Sequence, residues 1–375
     1  MFPRFSLHDW LTELKNETKY DLTNSGLSRY DEFNYEGVIP PRLQEFDQPD
    51  GFGPLDEHLA MLYEVSPSQL LVTCRCQHSN FIAAATARDL TSTSGASNTV
   101  VEVPTYNPLY KTPVGLGSEV RTFHRPPAES FAIDPERVRA VVDENTSAIF
   151  ITNRHNPSGF LTPEETMKEF SSIAVEHDSY LVVDEVYAPF FLETPHRDRT
   201  PFGGVTAVDL PNTVITNSMT KFLGLYDISI GWIAGPEEFI THARTIERHT
   251  NAIAKPSREF AKCALANADE LQAESREMLK NRYELLDAFV SETDLIEGHV
   301  ANPSIIAFVR FGGYGGDAVV EHARSHGVAI QPGRFFSNDD RYDEYFRISL
   351  GRGTEEITSG LATLKEVLHS LSSSR

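Results

Sequence analysis

Lysine is scarce in this chain. Only nine of its 33 basic residues are lysine, against 54 acidic ones in 375 residues, and the formal net charge is −21. That balance excludes nucleic acid and anionic membrane surfaces as natural partners, because both are polyanions that reward clustered cations. A strongly acidic, lysine-poor surface is expected of a protein adapted to high salt, where counter-ions screen self-repulsion. An ordinary acidic cytosolic enzyme is the plainer reading. Cysteine is equally rare: Cys74, Cys76 and Cys263. An odd, small number argues against a disulfide framework and fits a reducing compartment. The "CRC" pair has no second ligand pair at zinc-site spacing, so no metal is expected. No run reaches the roughly 18 apolar residues of a membrane-spanning helix. The opening "MFPRFSLHDWLTELKNETKY" lacks the basic-then-apolar order of a secretory leader, so a cytoplasmic location is expected.

What is present is a globular composition, 40% apolar and 23% charged. The length suggests two domains. "QLLVT" (69–73), "TVVEV" (99–103), "SAIFIT" (147–152), "YLVVDEVY" (180–187), "TVITNS" (213–218) and "IGWIAG" (230–235) read as buried strands. Between them, 79–90, 135–144 and 162–177 read as helices, the last opened by a Thr162 cap with a carboxylate three residues on. Strands alternating with helices predict an α/β fold, a three-layer, mostly parallel sheet covered on both faces. A long helical pattern covers 269–292. Beyond it, "SIIAFVRF", "VAIQPGRFF" and "YFRISLG" read as strands and "EEITSGLATLKEVLHSL" as a closing helix, a smaller α+β domain. The expected organisation is an N-terminal segment (1–45) joining the small domain, a large domain (46–285) and a small C-terminal domain (286–375).

Ligands of open α/β sheets sit at the carboxyl ends of the strands. Four groups fall there in order: "PTYNP" (104–108), "NRHNPSG" (153–159), "DEVY" (184–187) and "SMTK" (218–221). Each alone is weak: "NPSG" is a good turn by itself, and a loop lysine is usually a solvated charge. Their joint order and spacing carry the signal.

With these motifs the chain resembles the fold-type I pyridoxal-phosphate enzymes, in particular the class I/II aminotransferases. The likeness runs from "DGFGPLDEHLAMLYEVSPSQLLVT" to "FRISLGRG". It is closest to the shorter members, such as those acting on histidinol phosphate, aromatic or aspartate-type amino acids. The resemblance implies pyridoxal 5'-phosphate as cofactor, held by Lys221 as a Schiff base, since a desolvated lysine loses its proton and becomes nucleophilic. The freed amine can then shuttle the Cα proton. Asp184 matches the carboxylate that keeps the ring nitrogen protonated. Tyr187 and Asn156 match partners of the phenolic oxygen, and Tyr106 the aromatic stacked on the ring. Arg347 matches the planar cation for the substrate carboxylate, with Asn156 and Gly26 also on the substrate side. The resemblance further implies a small-molecule amino acid and a 2-oxo acid as substrates, and a homodimer.

The phosphate end departs from the family. An arginine is usual eight residues after the lysine; here that position is Ser229. A tyrosine reaching from the partner subunit is often found before a "GxxxL" stretch; here Phe46 precedes Gly51 and Leu55. A small, glycine-rich turn is replaced by "TCRCQ", which introduces Arg75. Either Arg75 supplies the cation that Ser229 cannot, with Ser218, Cys76 and Gln77 completing the cup, or Arg75 points to solvent and the cup is weak.

The leading reading is an aminotransferase with a ping-pong cycle. Alternatives are a decarboxylase or lyase on the same fold, and a non-catalytic relative with a depleted phosphate cup. His124, Arg154 and His155 are polar candidates for substrate selection, or structural residues.

Overall fold

The computed structural model describes residue 10 and residues 19–27, 53–91, 97–192, 202–250 and 253–373. Phe46 and Gly51 lie outside the described residues, and so does most of segment 1–45.

In chain order the elements are β1 (Tyr20–Asp21), α1 (Leu55–Leu62), β2 (Leu70–Thr73), α2 (Arg75–Thr91), β3 (Asn98–Val103), α3 (Asn107–Gly115), β4 (Glu119–His124), α4 (Pro135–Arg139), β5 (Thr146–Thr152), α5 (Glu164–Glu176), β6 (Tyr180–Asp184), β7 (Thr213–Ser218) and β8 (Gly231–Ala234). There follow α6 (Glu237–Thr250), α7 (Lys255–Ala266), α8 (Ala268–Glu292), β9 (Ile296–Glu297), β10 (Ile306–Phe311), α9 (Gly316–Ser325), β11 (Val328–Ala329), β12 (Gln331–Pro332), β13 (Tyr345–Ser349) and α10 (Thr354–Ser373).

Seven strands form the large sheet in the order β2-β8-β7-β6-β5-β3-β4. All neighbours are parallel except β8, which runs antiparallel to β2 and β7. Apart from the edge strand β4, the strands are buried on both faces, which is why they read as apolar runs. Successive residues enter opposite layers. Val100, Ile149, Ile151, Leu181, Val183 and Ile215 join the main core. Val101, Ala148, Phe150, Val182 and Val214 pack with α2 and α6 residues such as Ile82, Ala83, Phe239 and Ile240. This period-two partition is what makes a three-layer domain from one sheet.

A second, antiparallel sheet has the order β12-β13-β10-β9. The N-terminal strand β1 pairs parallel with β11, so the start of the described chain docks on the C-terminal elements. Residues 22–27 then run from this pairing toward Lys221: Leu22 N–H donates to Ala329 O and Leu27 N–H to Lys221 O, each at 2.9 Å.

Several local expectations are corrected. The helix expected over 135–144 ends at Arg139, and the strand expected over 180–187 ends at Asp184. Thr162 does not cap α5. The cap position is Pro163, with no side-chain cap bond. Thr162 N–H instead donates to Asn153 Oδ1 at 3.0 Å, which ties the turn after β5 to the entry of α5. The structure also adds α3, β4, α6, α7 and α9 to the elements read from the sequence pattern. No helix among the described residues is long and apolar enough to cross a membrane.

Candidate active site

The carboxyl ends of β2, β3, β5, β6 and β7 deliver Arg75, Tyr106, Asn156, Asp184 and Lys221 to one edge of the sheet. The antiparallel β8 brings Ser229 there from its amino end, because Gly231 pairs with both Thr73 and Ser218.

Asp184 is buried, and its carboxylate is held from three sides. Asn80 Nδ2 donates to Oδ2 at 2.7 Å, while Val186 N–H and Cys76 Sγ donate to Oδ1 at 3.1 and 3.3 Å. Thr216 Oγ1 donates to Asn80 Oδ1 at 2.6 Å, which fixes the Asn80 amide with its NH₂ toward Asp184. Burial raises the Asp184 carboxyl above its ordinary range, and these donors together with Lys221 pull it back. A carboxylate so desolvated and so placed is ready to face a cation. Cys76 stays a thiol: burial, then the Asp184 charge, push it well up.

Lys221 is half-buried three residues beyond β7. Its Nζ donates to Ser25 Oγ at 3.2 Å and lies 5.3 Å from the centre of the Tyr226 ring. Desolvation, and then the positive charge of Arg347, bring its pKa down to about 8. The same stretch of chain holds Tyr187, whose Oη donates to Ser25 O at 3.2 Å. Gly26 is required here, since a Cβ would stand 1.7 Å from Tyr226 Oη. Its N–H donates to Asn24 Oδ1 at 3.0 Å, and that oxygen also accepts from Tyr226 Oη at 2.8 Å.

Arg347, on β13, is buried. Its Nη1 donates to Asn156 Oδ1 at 2.6 Å and its Nη2 to Thr23 O at 3.3 Å, while Nε is buried without a partner. The guanidinium lies 5.1 Å from the centre of the Phe336 ring. A buried guanidinium facing no carboxylate among the described residues, with a donor to spare, is suited to binding an anion. Because Asn156 gives its oxygen to Arg347, its NH₂ is left for another acceptor. Tyr106 Oη donates to Gln77 Oε1 at 3.3 Å, so the Gln77 side chain, and not its backbone alone, enters the site.

At the start of α2, Arg75 Nε donates to Ser229 Oγ at 2.8 Å and Nη2 to Tyr226 O at 3.1 Å. Arg75 therefore places its guanidinium against the very serine that stands where the family carries an arginine. Both residues have left-handed backbones, with φ of 67° and 49°. Their close approach needs Gly231, whose added Cβ would lie 2.4 Å from the Arg75 carbonyl carbon. The first turn of the 17-residue α2 presents the N–H groups of Cys76 and Gln77, which have no partner within the helix. Ser218 Oγ lies 2.7 Å from Thr220 Oγ1 beside this turn.

The polar candidates for substrate selection fare differently. His155 is fully buried, with Nδ1 2.6 Å from Ser158 Oγ and Nε2 2.7 Å from Pro104 O, and it is structural. Arg154 is buried over the Phe191 ring and donates to backbone carbonyls of Gly159 and Asn302. His124 lies 3.8 Å from Asp339 at the end of β4. Sequence reasoning missed Ser25, Asn80 and Tyr226. Asn80 had a usable signal, since it stands one helical turn after Cys76; Ser25 had none, being 196 residues from Lys221.

A half-buried, desolvated lysine, a buried carboxylate and an open guanidinium at the carboxyl edge of such a sheet define a cofactor-dependent enzyme of amino-acid chemistry. The family "Aminotransferase class I and II" matches residues 41–364, and the chain belongs to it. It is a pyridoxal-phosphate-dependent aminotransferase. Among its relatives, capreomycidine synthase of Streptomyces vinaceus is 26% identical over 98% of this chain and 94% of its own length. Aspartate/prephenate aminotransferase of Thermus thermophilus is 31% identical over 46% of this chain and 43% of its own. Among solved structures, a PLP-dependent aminotransferase from Streptococcus suis superposes with a TM-score of 0.84 at 23% identity, covering 98% of both chains. Thermus thermophilus aspartate aminotransferase with maleate gives 0.81 at 21%, covering 98% and 97%.

Proposed function

We propose that this site moves the amino group of an α-amino acid to a 2-oxo acid with Lys221 as anchor and proton carrier, Asp184 as the partner of the cofactor ring nitrogen, and Arg347 as the clamp for the substrate carboxylate. The observation that carries the assignment is the Lys221 amine, lowered to about 8 by burial and Arg347. At pH 7 roughly a tenth of it is then free base, hundreds of times more than for an ordinary lysine. The residues present fit the cofactor: Asp184 is desolvated and ionisable, Arg347 Nε is buried without a partner, and the start of α2 offers unpaired N–H groups with a guanidinium beside them.

The cofactor, when bound, supplies the electron sink that stabilises negative charge at the amino acid Cα. The protein does the rest. Lys221 Nζ takes the proton from Cα and returns it, with Ser25 Oγ within 3.2 Å to hold the amine between transfers. Arg347 binds the carboxylate and so orients Cα toward Lys221. Tyr187 and the Asn156 NH₂ hold the ring oxygen, Tyr106 covers the ring face, and Gly26 lines the substrate side. Arg75, Ser218, Cys76 and Gln77 hold the phosphate. A homodimer belongs to the same proposal.

The relative matched over 94% of its own length is named a synthase, which supports keeping elimination or decarboxylation as a second reading. One experiment covers both. Purified protein is loaded with pyridoxal phosphate, freed of excess, and scanned in the near ultraviolet and visible. A retained band, absent in Lys221→Ala, is expected. Amino donors that bleach the band and yield keto acid support transfer; release of ammonia or carbon dioxide without amino transfer overturns it.

A further inference from the structure

Glu102 and Arg125 form an ion pair with no exposure to solvent, Nη1 to Oε2 at 2.6 Å. A pair so buried is seldom a net gain over apolar residues of the same shape, so its position invites another explanation. The explanation lies in the other carboxylate oxygen. Glu102 Oε1 accepts from Thr152 N–H and from Thr152 Oγ1, both at 2.6 Å. A hydroxyl has one proton to give, and a carboxylate can only accept. Thr152 therefore turns its lone pairs away from Glu102, where Oγ1 accepts the N–H of Asn156 at 2.9 Å. Asn156 Oδ1 in turn accepts from Arg347 Nη1 at 2.6 Å. Every member of this chain is buried. It runs from β3 through the end of β5, in the large sheet, to β13 in the small one. Arg125 closes its far end, with Nε donating to Phe131 O at 2.7 Å.

We propose that Glu102, anchored by Arg125, is a positioning residue: through the Thr152 hydroxyl it holds the Asn156 backbone, and so fixes where the Asn156 side chain meets the Arg347 guanidinium. The proposal rests on the role given to Arg347 above. Polarity makes the relay directional. Were the Glu102 acceptor oxygen removed, Thr152 would be free to rotate, Asn156 N–H would lose its acceptor, and the Asn156 side chain would no longer be held against Arg347.

The test compares Thr152→Val with Thr146→Val. Thr146 is also a buried hydroxyl on β5, donating to Asn98 Oδ1 at 2.8 Å, but at the strand's other end. Both variants are loaded with pyridoxal phosphate and assayed with the best amino donor. Thr152→Val is expected to raise KM on the order of tenfold, about 1.4 kcal/mol, with kcat changed less. It should also move the pH at which the visible band changes. Thr146→Val should lose comparable thermal stability and leave KM and the band alone, and Thr152→Ser should restore wild-type KM. Equal KM in the two valine variants overturns the proposal. Should Thr152→Val fail to fold, Thr152→Ala is read in the same way, and an unchanged KM there overturns it equally. Wild-type turnover tests the reaction itself. Without it, calorimetric affinity for a 2-oxo acid replaces KM, so the two failures are told apart.

Discussion

Replacing Arg75 by alanine removes the one cation that, among the described residues, touches position 229. A guanidinium has five N–H donors. In this structure Nε is given to Ser229 Oγ and one of Nη2 to Tyr226 O, so three remain for a phosphate dianion. A hydrogen bond to a charged group is worth about 1.5–3 kcal/mol net, and tenfold in affinity is about 1.4 kcal/mol. Arg75 is exposed, so the lower end applies, and the cofactor dissociation constant should rise on the order of ten- to thirtyfold. The assay is equilibrium titration of apo-protein with pyridoxal phosphate, read by the visible band. Ser229→Arg placed in the Arg75→Ala background should recover most of the loss, since it returns a guanidinium to the same space. The weakening should shrink as ionic strength rises, because a charge on the rim is screened. Unchanged affinity in Arg75→Ala would refute the reasoning: Arg75 would then be a surface residue bridging Ser229 and Tyr226 and nothing more.

Other outcomes follow from the same geometry. The rate of cofactor loading should rise with pH and level off above about 8, where Lys221 is the free base; a profile still climbing at pH 10 contradicts the depressed amine. Asn80→Ala removes the 2.7 Å donor to Asp184 and leaves Thr216 without its acceptor, so kcat should fall about tenfold or more while the thermal midpoint drops by a few degrees. Glu185 is buried, and burial pushes its carboxyl from 4.5 up to about 8. The folded state thus binds more protons than the unfolded one in that window, so this group's contribution to stability is complete below pH 4.5 and lost as pH rises through 8. Denaturant titrations of Glu185→Gln should show that slope flattened. Gly26→Ala should raise KM through its clash with Tyr226, and Tyr226→Leu should relieve it. With a net charge of −21, the thermal midpoint should rise with added potassium chloride.

The large sheet was legible because its strands are buried on both faces, and unbroken apolar runs such as "SAIFIT" admit few other readings. That Lys221, Asp184, Asn156 and Tyr106 share one edge of the sheet was legible for a related reason: a parallel sheet delivers its carboxyl ends to one edge, so order along the chain already implies proximity. The Thr162 cap was misread because the motif is local: the helix begins at Glu164 after Pro163, while Asn153 holds the Thr162 N–H and the hydroxyl is left buried without a partner.

Other features needed the folded chain. Ser25 meets Lys221, and Arg347 meets Asn156 191 residues away, through the docking of β1 on β11 and of the small sheet against the large one. No periodicity records such contacts, since they depend on how two separately formed surfaces pack. The same holds for position 229. Set against the family pattern it resembles, the sequence lacked a cation there and carried another at position 75. That the two positions touch was decided by the antiparallel strand β8, which pairs Gly231 with Thr73 and brings Ser229 against Arg75.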